Sequence, residues 1–377
     1  MSSLGKKVLV ALSGGVDSSV AAALLIQAGY ECIGATMQLW PASLPLPAEH
    51  EGGCCSLSAV EDARRVAQQL EIPYYVLNFQ EIFETEVIHN FTQEYQSGRT
   101  PNPCIVCNRK IKFEAFLNKA QQLGMDYIAT GHYGMIGYDE PLRRYTLKRG
   151  IDLTKDQSYV LYNMTQSQLR STLMPLGTYT KEQTRSIAKK LGLKVANKAE
   201  SQEICFIPDN DYRRFLKEYA PKTYRPGDIV NTSGEVLGQH AGIAFYTIGQ
   251  RSGLGISGPE PYYVVELDPE RNLVIVGSQE EVYASSCLLN QLNWLSQEVP
   301  PLNTSFPVGV KIRYNAPITS GQAILTATDE LKVKFDRPQP AVTLGQAGVL
   351  YHGDLVLGGG TIIGTSRLNV LPEGAAY

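Results

Sequence analysis

A short apolar run at residues 8–11 passes without a linker into Leu12-Ser13-Gly14-Gly15-Val16-Asp17-Ser18-Ser19 and then into an alanine-rich helical pattern. Such a string must fold as a strand, a tight turn and the first turn of a helix. Paired glycines let backbone approach an anion closely, and a helix N-terminus offers unpaired N–H groups and a dipole that favours negative charge. Ser13, Ser18 and Ser19 add hydroxyl donors, and Asp17 supplies one carboxylate suited to magnesium. A nucleotide phosphate is the expected ligand. The Lys-Ser/Thr ending of a Walker-type loop is missing, so a kinase-like grip on a γ-phosphate is not expected.

Downstream the alternation continues, with strands expected at residues 8–11, 32–37, 74–78 and 127–130 and amphipathic helices at 18–28, 58–70, 82–96 and 109–123. Short apolar runs alternating with helices predict an α/β fold with a doubly wound parallel sheet. Further helices are expected at 181–191, closed by Gly192, and at 212–219 before Pro221. From Arg225 onward Gly and Pro punctuate β-branched runs, which predicts two small β-barrel-type domains divided near Ser285. The expected organisation is a nucleotide-binding and catalytic domain with a helical extension over 1–215, a central β domain over 216–284 and a C-terminal barrel over 285–377.

A chain of 377 residues is too long for one hydrophobic core, and its 43% apolar and 19% charged residues are ordinary for a globular protein. No apolar run reaches the roughly 18 residues of a membrane span, and residues 1–7 lack the apolar stretch of a secretory signal, so a cytoplasmic protein with no membrane partner is expected. The net charge of −3 conceals an uneven distribution: residues 141–225 hold 17 Lys and Arg against 8 Asp and Glu. That stretch is a candidate phosphate-contacting face. Seven cysteines, an odd number, point to thiol chemistry in a reducing compartment instead of a disulfide framework.

Two segments carry the thiols of interest. Gly98-Arg99-Thr100-Pro101-Asn102-Pro103-Cys104-Ile105-Val106-Cys107-Asn108-Arg109 reads as a Pro-rich loop feeding a helix. Cys107 is expected just before that helix or within its first turn, where the helix terminus and Arg109, Lys110 and Lys112 would favour a thiolate. Far along the chain, Glu200-Ser201-Gln202-Glu203-Ile204-Cys205-Phe206-Ile207 presents Cys205 in an apolar run, which by itself reads as a core cysteine. Cys32 also reads as core, and Cys287 and the adjacent Cys54 and Cys55 receive no role.

The Ser13–Ser18 string resembles the pyrophosphate loop of the adenine-nucleotide α-hydrolase-like superfamily, whose members cleave ATP to AMP and pyrophosphate. Together with Gly98–Arg109 and the segment around Cys205, it makes nearly the whole chain resemble the bacterial tRNA-specific 2-thiouridylases. That resemblance implies an ATP- and magnesium-dependent sulfurtransferase acting on the wobble uridine, position 34, of tRNAs for Lys, Glu and Gln. It implies Cys107 as nucleophile, Cys205 as persulfide carrier, a Cys107–Cys205 disulfide after turnover, and a sulfur-relay protein or cysteine desulfurase as partner. It implies nucleotide contacts from Ala11, Leu12, Ser13, Gly14, Gly15, Val16, Asp17 and Ser18 with Met37 and Gly131. Contacts to tRNA are implied for Asn102, Pro103, Cys104, His132, Lys155, Asp156, Gln157, Arg313, Tyr314 and Gln346, and Tyr133, Tyr159 and Tyr314 are candidates to stack splayed bases.

In one respect the chain departs from the family. Many members carry Asn-Pro-Asp where this chain has Asn102-Pro103-Cys104, so the acid–base carboxylate proposed there is absent. The substitution creates a Cys104-x-x-Cys107 pair that, with Cys205, could ligate a 4Fe–4S cluster with one open iron. Two other readings compete: a pyrophosphate-loop ligase or amidotransferase acting on a small acid, and a non-catalytic iron–sulfur RNA-binding module.

Overall fold

The computed structural model describes residues 5–41, 57–198, 204–207 and 209–367. Its first sheet is parallel throughout, in the order Tyr74–Asn78, Glu31–Gln38, Lys7–Ala11, Tyr127–Ala129 and Thr172–Leu173. Lys7–Ala11 is central because both its faces are apolar. Val8 and Val10 pack with Ala22 and Leu25 of the helix Val16–Gln27 and with Ala63 and Ala67 of the helix Leu57–Gln69. Leu9 and Ala11 face the other way, onto Phe113, Phe116 and Leu117. Helices thus cover both faces, as a doubly wound sheet requires. Chain order reverses beside Lys7–Ala11, so the crevice beyond its carboxyl end is where such a fold binds ligands.

Two antiparallel-rich units complete the chain. A four-stranded sheet runs in the order Tyr263–Asp268, Leu273–Gly277, Gly227–Asn231 and Val236–His240. Its Ile229, Val264, Val274 and Val276 share one apolar cluster with Phe91, Phe215 and Cys107, which ties it to the helices of the first unit. The strands Tyr283–Trp294, Glu330–Pro340, Thr319–Ala327, Ser305–Lys311, Ala347–His352 and Leu355–Arg367 follow one another, and pairing of the first with the last closes a six-stranded barrel. Closure removes the exposed edges of such a sheet.

The expected doubly wound sheet and barrel-type units are therefore present. One element crosses between them: the hairpin Gly134–Asp139 and Arg144–Arg149 leaves the parallel sheet and lengthens the barrel sheet, Lys148 pairing with Leu355. Among the described residues no helix is long and apolar enough to cross a membrane.

Candidate functional site

The nucleotide loop takes its shape from its own hydroxyls. Ser18 Oγ accepts from the Ser13 N–H at 3.1 Å and lies 3.2 Å from Ser13 Oγ, while Ser19 Oγ donates to the Gly15 carbonyl at 2.8 Å. Gly15 caps the helix without a side chain, so the N–H groups of the first turn are left for a ligand. Two glycines are forced by packing. Gly14 has φ +68°, and a Cβ there would stand 2.2 Å from the Ala59 carbonyl oxygen; at Gly131 a Cβ would stand 2.7 Å from the Ser18 nitrogen. Met37, half-buried near the end of its strand, packs against both central apolar clusters.

Two lysines that sequence reasoning passed over also reach this loop. Lys181 Nζ lies 2.8 Å from each Asp17 carboxylate oxygen, and the Tyr133 hydroxyl donates to Asp17 Oδ1 at 2.8 Å. Lys198 Nζ donates to the Gly14 carbonyl at 3.1 Å and to Asp62 Oδ2 at 2.6 Å. A usable signal was present for Lys181: it opens a helix behind Thr180 and Gln183, a capping box, at the end where the dipole disfavours a cation. Tyr133 is consequently interior, and Tyr159, fully buried with its hydroxyl on the Ala347 carbonyl, is interior too. The stacking role expected of these two is corrected; Tyr314 is exposed.

The cysteine loop is built at a helix start, though one turn earlier than expected. Asn102 is the N-cap, its Oδ1 accepting from the Ile105 N–H at 3.3 Å, and Pro103 opens the helix. Pro at that position is pre-organised for helix. Cys104 therefore occupies the first turn and is exposed, whereas Cys107, the fifth residue, stands early in the second and is buried. The dipole fades within the first turn, so its field falls on Cys104 and the expectation for Cys107 is corrected. Lys110 pairs with Glu86 and Glu114. A π-helical stretch, Asn108–Ala115, continues the helix, and buried Asn108 donates to the Val160 carbonyl at 2.9 Å.

Cys205, half-buried, packs against the apolar cluster that holds Cys107, among Phe83, Phe91, Ile111 and Phe206. Leu39, immediately beyond the strand Glu31–Gln38, belongs to the same cluster, which also reaches Ile229 and Val264 of the four-stranded sheet. Burial alone pushes the Cys32 thiol up to about 11 and the Cys287 thiol up to about 12, which leaves them inert as nucleophiles at neutral pH. Cys54 and Cys55 fall outside the described residues.

The remaining candidates are scattered in depth. His132 is buried with Nδ1 2.8 Å from Thr130 Oγ1, and burial, helped by nearby Lys112, holds its pKa well below the usual value. Asp156 is buried: Oδ1 accepts the N–H groups of Gly150 and Ser158, each at 3.1 Å, and Oδ2 accepts from Ser158 Oγ. Gln157 accepts the Tyr133 N–H at 3.0 Å. Lys155 is half-buried, while Arg313 and Tyr314 are exposed, with Lys311 over the Tyr314 ring at 5.5 Å. Gln346 donates to the carbonyls of Thr100 and Pro101, at the threshold of the cysteine loop.

Three family models match in succession: a tRNA methyl transferase HUP domain over residues 6–209, a tRNA methyl transferase PRC-barrel domain over 213–278 and an aminomethyltransferase beta-barrel domain over 284–362. The tRNA-specific 2-thiouridylase MnmA of Carboxydothermus hydrogenoformans is 55% identical over 358 residues, which is 95% of this chain and 97% of that protein. The namesake proteins of Acetivibrio thermocellus and Symbiobacterium thermophilum are each 54% identical and cover 95% of this chain, over 99% and 92% of their own lengths. The chain belongs to the tRNA-specific 2-thiouridylase family. Among solved structures, the U34-tRNA thiolase NcsA of Methanococcus maripaludis overlaps 58% of this chain and 68% of its own at 17% identity and a TM-score of 0.32, too loose an overlap to bear on the 2-thiouridylase site.

Proposed function

We propose that this chain is the ATP-dependent sulfurtransferase that 2-thiolates the wobble uridine, position 34, of tRNAs for Lys, Glu and Gln, in the cytoplasm. The observation that carries the reading is a pyrophosphate-type loop leading from the strand Lys7–Ala11 into its helix, in a chain that also packs Cys107 and Cys205 against one apolar cluster. A methyl transferase, which two of the family descriptions suggest, has no use for a pyrophosphate loop or for two thiols in one cluster.

ATP lies with its phosphates on the loop N–H groups and the Ser13 and Ser18 hydroxyls. Uracil O2 attacks the α-phosphorus; the bond to the bridging oxygen breaks and pyrophosphate departs, its charge spread over donors already in place. Magnesium, bound through the phosphates and Asp17, would supply further charge neutralisation. Asp17 fits that role as a lone carboxylate once its partner Lys181 moves. The target base leaves its stack to reach the interior thiols. A persulfide on Cys205, loaded by a relay protein or cysteine desulfurase, attacks C2 with its outer sulfur and AMP leaves. Cys107 then attacks Cys205 Sγ, releasing the thiolated base and a Cys107–Cys205 disulfide. Both electrons that reduce the outer sulfur come from the two thiols, and an external dithiol, or two monothiols in succession, restores them.

An iron–sulfur cluster on Cys104, Cys107 and Cys205 finds no support in the described arrangement: Cys104 is exposed while Cys107 is buried, and among the described residues no group of three His, Cys, Asp or Glu could hold a metal ion. No step is routed through one.

Reconstitution with unmodified tRNA, ATP and a persulfide donor tests the reading. One AMP and one pyrophosphate are expected per 2-thiouridine formed; nucleotide cleavage without thiouridine, or thiouridine without cleavage, contradicts it.

A further inference from the structure

Two ammonium groups stand within hydrogen-bond reach of the nucleotide loop, one on the Gly14 carbonyl and one on Asp17. The second is placed against local preference. Lys181 is the first residue of the helix Lys181–Lys190, where the dipole repels a cation, and its side chain is only 11% exposed. A lysine that merely solubilised this helix would stand at its other end, in water, as Lys189 and Lys190 do.

Instead, the Lys181 residue is anchored from both ends. Its backbone N–H donates to Asp152 Oδ2 at 3.0 Å, its Nζ bridges both Asp17 oxygens, and its ammonium lies 5.8 Å from the Tyr133 ring centroid. Tyr133 in turn stands 3.1 Å from Thr184, one turn along the same helix, so Asp17, Tyr133 and that helix form one connected unit. Departures from local rules that the rest of a structure takes trouble to maintain mark functional positions. The loop itself supplies a reason. It lacks the lysine of a Walker-type loop, and its one charged member, Asp17, is negative, so a triphosphate docking there meets no cation of the loop's own.

We propose that Lys181 is a catalytic residue of the adenylation step: it leaves Asp17 for the phosphates of incoming ATP and stays with pyrophosphate as that group departs. The transfer frees the Asp17 carboxylate for the magnesium that accompanies the phosphates. No bond beyond those of adenylation changes; Lys181 balances the electron pair that pyrophosphate carries away. The inference rests on the ATP-using reading and deepens it.

The test is calorimetric titration of the full chain with ATP and, separately, with AMP, alongside tRNA-dependent exchange of labelled pyrophosphate into ATP. Lys181→Met is expected to lose at least tenfold in ATP affinity, keep its AMP affinity within twofold and lose at least a hundredfold in exchange; Lys181→Arg is expected to recover a measurable part of both losses. Equal losses for ATP and AMP with a lowered Tm would make Lys181 a structural strut and overturn the proposal, as would ATP affinity and exchange unchanged in Lys181→Met. A wild type that binds no ATP overturns the parent reading and this one together, whereas a wild type that binds ATP no better than Lys181→Met overturns this one alone.

Discussion

Gln346, in the C-terminal barrel, holds Thr100 of the cysteine loop: its side-chain amide donates to the Thr100 carbonyl at 2.9 Å and to that of Pro101 at 3.1 Å, and the Thr100 N–H donates to Leu344 at 2.8 Å. The loop that leads to Cys107 is thus held by a contact spanning 246 residues of sequence. Each neutral hydrogen bond is worth about 1 kcal/mol net. Gln346→Ala removes two of them, about 2 kcal/mol, and is therefore expected to slow single-turnover thiolation by up to roughly thirtyfold. ATP affinity should stay within twofold, and nucleotide titration beside rapid-quench thiolation separates the two. Undiminished turnover would show that the clamp is dispensable.

The three thiols should behave differently. Cys107→Ser and Cys205→Ser are expected to abolish thiolation while leaving ATP binding intact, because in the proposed route both thiols act after adenylation. Cys104→Ala is expected to retain thiolation within threefold, since Cys104 is exposed and the persulfide route does not use it. Iron analysis of anaerobically purified protein completes the comparison. Stoichiometric iron together with an inactive Cys104→Ala would replace the persulfide route by cluster chemistry.

Aromatic packing seats Cys205. Phe206 meets Phe83, Phe91 and Phe215 with ring centroids 5.8, 5.2 and 5.3 Å away. Emptying so enclosed a site costs about 3–5 kcal/mol. Phe206→Ala should lower Tm by several degrees and reduce thiolation more than it reduces ATP affinity, as read by calorimetry and nucleotide titration. An unchanged Tm would mean that the cluster collapses onto the gap.

Two buried histidines link stability to pH. Burial lowers the pKa of His132 and of His240, whose Nε2 lies 3.0 Å from the Asn272 carbonyl. The folded pKa lies below the unfolded one in each case, so the unfolded chain takes up the proton first. Stability is then full above an unfolded value of about 6.5 and falls as pH drops through it, by up to about 1.4 kcal/mol per pH unit for each histidine. Thermal scans between pH 8 and pH 5 should show Tm falling on the acid side, less steeply in His240→Gln; a fall of equal slope in that variant would remove His240 from the account.

The local half of this molecule was legible in its sequence. A strand running into paired glycines and an alanine-rich helix has one sensible fold, and strands near residues 8–11, 32–37 and 74–78 stand where their apolar runs place them. Helix caps were legible in principle, and Pro103 was misread: as the first helical residue it moves Cys107 a turn inward. What pairs across the chain was not legible. Nothing local announces that Lys181 meets Asp17 across 164 residues, that Gln346 reaches Thr100, or that residues 134–149 extend the barrel sheet. Tyr133 and Tyr159 read as surface stackers because a tyrosine's pattern does not disclose whether its hydroxyl has a buried partner.

The most direct test is nucleoside mass spectrometry of bulk tRNA from cells lacking this chain and complemented with wild type, Cys107→Ser or Cys205→Ser. The account predicts that 2-thiouridine derivatives disappear in the deletion, return with wild type and fail to return with either variant. Thiouridine that persists in the deletion, or returns with both variants, would contradict it.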